Sequence, residues 1–238
     1  MSGSGVSSTE FLLKGSGAQT VTCAAGATIP NLRVNATGTV TFAGRVEIAG
    51  DYVYQAGTVV TAGSIVKFAA SAMNPKSGSI TPGSVHFANV EIGNSGGWTR
   101  NVTGTLFVDG SLTLDGALQG GAIEATGSVT SQNSEGGSTV LKFVGTNQTL
   151  TGSNKPLPNV LFAVSGVLSF VGTVDFDGDV IWQSGSLNAG TSVVVLSGAR
   201  AATVNLASES FYDLTVDNSV AGFGRTVVGS LNVLRNFS

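Results

Sequence analysis

Gly104-Thr105-Leu106-Phe107-Val108-Asp109-Gly110-Ser111-Leu112-Thr113-Leu114-Asp115-Gly116 is the stretch that decides the fold. Apolar and mostly polar residues alternate in it with a period of two, the pattern of a half-buried strand. Leu106, Val108, Leu112 and Leu114 fall on one face. The glycines at 104, 110 and 116 recur every six residues. A hairpin needs a reversing turn of at least two residues with its own chemistry. One glycine between five-residue strands turns a corner instead, because it accepts positive φ without steric cost. Corners at this spacing close a three-sided coil in about 18 residues, and successive coils then pair in parallel about 4.8 Å apart.

The beat extends in both directions. Glycines stand at 38, 44, 50, 57 and 63, and again at 166, 172, 178, 185 and 190. Val40, Phe42, Val46 and Ile48, then Leu168, Phe170, Val174 and Phe176, match the first apolar set, and Leu231 and Val233 match part of it. A second motif recurs as Ile29-Pro30-Asn31-Leu32-Arg33-Val34, Phe87-Ala88-Asn89-Val90-Glu91-Ile92, Leu157-Pro158-Asn159-Val160-Leu161-Phe162 and Phe211-Tyr212-Asp213-Leu214-Thr215-Val216. Together these divide the chain into a Gly/Ser-rich segment, 1–9, and four units: 10–63, 64–138, 139–191 and an incomplete 192–238. The expectation is an all-β, single elongated domain, a parallel β-helix (β-solenoid) of roughly triangular coils. About a dozen coils would make a stack about 60 Å long. An antiparallel sandwich or barrel of many short strands is the competing architecture.

Composition agrees. Only 11% of the 238 residues are charged and 34 are glycine, with 42% hydrophobic to fill a continuous core. The net charge of −3 and the lack of a basic stripe argue against nucleic-acid binding. No apolar stretch reaches the roughly 18 residues of a membrane span. The start, Met1-Ser2-Gly3-Ser4-Gly5, does not read as a signal peptide.

The repeats resemble the β-strand repeats of bacterial surface and adhesin-like proteins and those of phage tail-fibre β-solenoids. Phe211-Tyr212-Asp213-Leu214-Thr215-Val216 and the Gly104–Leu114 stretch carry the likeness. The resemblance covers nearly the whole chain and speaks to architecture. The six-residue beat is also similar to that of the bactofilins, polymer-forming filament proteins, although the Pro-Asn segments depart from their pattern.

Candidates for chemistry are few. His86 is the only histidine and Cys23 the only cysteine. A histidine triad or a multi-histidine metal site has nothing else to draw on, and neither cofactor nor metal is implied. Asp175, Asp177 and Asp179 form the one dense carboxylate group. Asp175 and Asp177 flank inward Phe176, so alternation predicts that both project outward, where they could hold a cation or act on a sugar. Trp98 and Arg100, in the longest unit, suggest a platform for surface carbohydrate. Trp182 follows inward spacing and is expected in the core. Asn31, Asn89 and Asn159 are expected to bond backbone at corners. An ice-binding face would need Thr-x-Thr pairs on successive coils. The pairs Thr20/Thr22, Thr39/Thr41 and Thr149/Thr151 look scattered along the chain.

The function expected is a non-enzymatic structural or adhesive part of an extracellular fibre or virion appendage. Its partners would be further copies or other fibre or virion chains, and Leu231, Val233 and Phe237 would lie at an assembly end. A carbohydrate-active β-helix enzyme and a bactofilin-like filament are the alternatives.

Overall fold

The computed structural model of the chain describes residues 9–69, 78–93, 99–198, 201–217 and 224–238. All regular structure among them is β, and every strand pairing is parallel. The chain is a β-solenoid of about ten turns and a single elongated domain.

One inward ladder shows how it is built. Leu106 pairs with Ile123, Ile123 with Leu141, Leu141 with Val160, Val160 with Val180, and Val180 with Val204. Each of these is fully or almost fully buried. A second ladder runs Val46, Val66, Val90, Leu112, Val129, Leu150 and Phe170. The period-two pattern therefore gives the core: Val40, Phe42, Val46 and Ile48 and both matching sets are buried as expected. Stacking like on like lets each side chain fill the gap left by the one below, which is how a solenoid maintains interior packing without a central layer.

The turns are less uniform than six-residue corners imply. Leu112 meets Val129 after 17 residues, while Tyr52 meets Ile80 after 28. The stack accordingly has about ten turns rather than a dozen.

The four units also group as two. Asn31 and Asn159, Gly50 and Gly178, Tyr54 and Trp182, Gly57 and Gly185, and Ser64 and Ser192 all stand 128 residues apart. Their contacts are conserved with them. Tyr54 Oη donates to the Gly57 carbonyl (2.7 Å) and Trp182 Nε1 to that of Gly185 (3.2 Å). Ser64 and Ser192 each donate to the carbonyl three residues back. Each half has its own aromatic cluster: Tyr52 touches Phe42, Phe68 and Phe87 in one, and Phe162 touches Phe143, Phe170, Phe176 and Trp182 in the other.

The repeated asparagines tie three turns together. Asn159 Nδ2 donates to the Ser138 carbonyl on the preceding turn (3.3 Å), and its Oδ1 accepts from Asp179 N on the following one (3.0 Å). Asn31 makes the same pair with Thr9 and Asp51, and Asn89 with Ser64 and Ser111. Asp51 and Asp179 continue the chain of acceptors, taking Ser79 N and Thr203 N at 2.7 Å. An amide is suited to this because it donates and accepts at once. Gly50 is required beside it, because a Cβ there would meet Asn31 Oδ1 and the Pro30 carbonyl. Asn159→Ala should cost about 1–2 kcal/mol through the two lost bonds, and Asn159→Asp about half as much, since the acceptor survives. Thermal melts of the two variants check the order.

Candidate functional site

Trp98 lies outside the described residues. Its neighbour Arg100 is not part of an exposed platform. Only 1% of it is exposed, which makes it the largest fully buried side chain among the described residues. It reaches across Gly78, the residue paired with it on the preceding turn, and donates from Nη1 to Gly50 O (2.8 Å) and from Nη2 to Ala49 O (2.8 Å) and Ala69 O. Burial pushes its pKa down to about 10, with Asp51 opposing the shift, so it remains a cation at neutral pH. Arg225 repeats the device. It lies opposite Ala202 and donates to Phe176 O, Asp177 O and Gly178 O at 2.9–3.1 Å. Both arginines are clamps on the backbone of earlier turns.

The carboxylate group also differs from expectation. Asp175 does not project outward. It is buried between Val174 and Phe176, so three successive residues lie inside where alternation allows two. The Asp175 carboxylate accepts from Ser197 Oγ on the next turn (2.5 Å). Desolvation raises its pKa and Asp177 adds to the rise, while the Ser197 bond and Arg225 oppose it. Asp177 is half-buried at the corner, and Asp179 is the backbone acceptor described above. No group of three or more metal-ligating side chains converges among the described residues.

A raised folded-state pKa has a definite sign. The stability that Asp175 contributes is full below its unfolded pKa and is lost as pH rises through the higher folded value. Asp175→Asn, which can still accept from Ser197, should therefore raise Tm at neutral pH by a few degrees, for about 1 kcal/mol. It should change little near pH 3.5. Melts of both proteins from pH 3.5 to 8 test this.

Trp182 is in the core at 5% exposure, and Cys23 is half-buried at the edge of the core. His86 is exposed, lies flat on the Phe107 ring one turn away (4.7 Å between centroids, 10° between planes), and bonds Asp109 through Nδ1 at 2.9 Å. Two surface concavities among the described residues lie at corresponding places in the two halves. One, of about 290 Å³, is lined by Tyr54, Val59, Ser84 and His86, and the other, of about 490 Å³, by Leu187, Glu209, Tyr212 and Leu234. Glu209 in the second is committed to Leu187 N (2.7 Å).

At the last rung, Asp213 holds Arg235, which also covers the Tyr212 ring at 4.7 Å. Arg235 keeps the Asp213 carboxyl below the usual range. Leu231, Val233 and Phe237 are on this rung. In register, Val233 pairs with Phe211 and Phe237 with Leu214 on the preceding turn. Phe211 and Leu214 are buried, whereas Leu231 and Val233 are half-buried and Phe237 is 65% exposed.

The outward columns complete the surface. One begins as an ion ladder, Glu47–Lys67–Glu91, in which Arg45 grips Glu91 through both nitrogens. It continues in register as Thr113, Thr130, Thr151 and Val171. Two residues back along each strand stand Ser111, Ser128, Thr149 and Ser169. These mixed Ser/Thr pairs are thus stacked on successive turns, whereas Thr20, Thr39 and Thr41 lie in the other sheet, away from Thr149/Thr151. No family model, no curated protein and no solved structure matches the chain.

Proposed function

We propose that the chain is a non-enzymatic structural and adhesive β-solenoid of an extracellular fibre or virion appendage, assembling end to end or with partner chains. The observation that carries this reading is the parallel stack itself, whose turns are tied one to the next by ladders and side-chain clamps. Val233 and Phe237 stand over buried Phe211 and Leu214, and with Leu231 they stay open to solvent. A strand edge with unpaired N–H and C=O groups and an apolar interior behind it is a template for another strand. One further rung, from whichever chain, would bury all three. Clamps such as Asn159, Arg100 and Arg225, spent on stiffening the stack, also suit a load-bearing spacer.

The test is length against concentration, by sedimentation velocity and negative-stain electron microscopy, together with immunogold labelling of the native source. Lengthwise growth at constant width, suppressed by Phe237→Asp, and labelling on virions or cell surfaces are expected. Particles of one length at every concentration, with label confined to the cell interior, would contradict the reading.

A further inference from the structure

The hydroxyl columns form a two-dimensional grid on four consecutive turns: Ser111/Thr113, Ser128/Thr130, Thr149/Thr151 and Ser169/Val171. None of the eight residues is charged. Their strands pair without a register shift across the grid, the first irregularity coming beyond Ser153. The Ser111 hydroxyl donates to Asn89 Oδ1 (2.9 Å), and the other six hydroxyls have no hydrogen-bond partner among the described residues. Corner hydroxyls behave otherwise: Ser64, Ser153 and Ser192 are all spent on backbone carbonyls. The grid hydroxyls are left for solvent on a backbone that is paired on both sides and cannot rearrange.

The spacing identifies the solvent structure they fit. Neighbouring turns are about 4.8 Å apart, and residues i and i+2 on a strand about 6.6 Å. In a tetrahedral network of O–H···O bonds of about 2.75 Å, oxygens sharing one neighbour stand about 4.5 Å apart, and the repeat along the hexagonal axis is about 7.3 Å. The grid lies within about 0.7 Å of both periods. Threonine hydroxyls can replace lattice oxygens, and the threonine methyls and Val171 present apolar surface between them that favours an ordered water cage over a mobile one.

We propose that this face binds ice. The proposal is independent of the fibre reading, since it concerns a lateral face and not an end of the stack. The full chain is tested by its uptake into a slowly growing ice hemisphere and by inhibition of ice recrystallisation. Lysine replacements at Thr130, Thr149 and Thr151 break the grid, and Lys142→Tyr, on a different outward column, is the control. Only variants retaining the wild-type circular dichroism spectrum are read. Uptake of the wild type, reduced about tenfold or more by each grid variant as the lysine removes one hydroxyl and stands over its neighbours, and unchanged in Lys142→Tyr, is expected. Exclusion of the folded wild type from ice would overturn the proposal. So would grid variants taken up as well as the wild type, or an equal loss in Lys142→Tyr.

Discussion

Phe162→Ala should destabilise the protein by about 3–5 kcal/mol, the range for emptying a phenylalanine site in a packed core. Phe162 is fully buried and stands at the centre of the larger aromatic cluster, 5.0 Å from both the Phe143 and Trp182 rings and 5.8 and 6.1 Å from Phe170 and Phe176. Its four neighbours come from three turns, each held by ladders above and below, so the backbone cannot collapse into the gap. The expected fall in Tm is about 10 °C for a chain of this size. Phe11→Ala, at a site 52% exposed on the first rung, should cost a few tenths of a kcal/mol at most. Because each turn packs on its neighbours, apart from long side chains such as Arg45, Arg100 and Arg225 that reach two turns away, hydrogen exchange in Phe162→Ala should accelerate first in the 141–182 turns and least near Leu32.

Arg100→Met is the second large effect, expected at about 3–5 kcal/mol. Methionine has similar reach but donates nothing, so the carbonyls of Ala49, Gly50 and Ala69 each lose a charged donor. Arg100→Lys keeps the charge but not the planar fork that serves three acceptors at once, and should fall about midway. The order arginine, lysine, methionine in thermal melts is the signature of a clamp. A merely space-filling role would leave methionine no worse than lysine.

The sequence made the ladders legible because their two signals are local: alternation names the inward residues, and the glycine beat locates the corners. Val40 through Phe176 were assignable without knowing which turn lies above which. What stayed hidden depends on that stacking. The turns of the hydroxyl grid run 17, 21 and 20 residues, from 111 to 128, 149 and 169, so the pairs look aperiodic along the chain although they are aligned in space. Arg100 reads as a surface cation because the acceptors that justify its burial lie 31 to 51 residues earlier. Asp175 defeats alternation because it sits where a strand meets a corner, and the Ser197 hydroxyl that makes its burial tolerable comes from the next turn. The role of the asparagines was accessible, since an amide at a corner has backbone groups within reach on either side.

The parallel, in-register stack is tested most directly by pairwise spin-label distances along one outward column, in a Cys23→Ser background. Glu124, Lys142, Leu161, Ile181, Asn205 and Val228 are successive partners on it. Labels at Glu124 and each later position should give distances rising by about 4.8 Å per turn, reaching about 24 Å at Val228. Distances that fail to increase in sequence order, as an antiparallel sandwich requires, would contradict the solenoid.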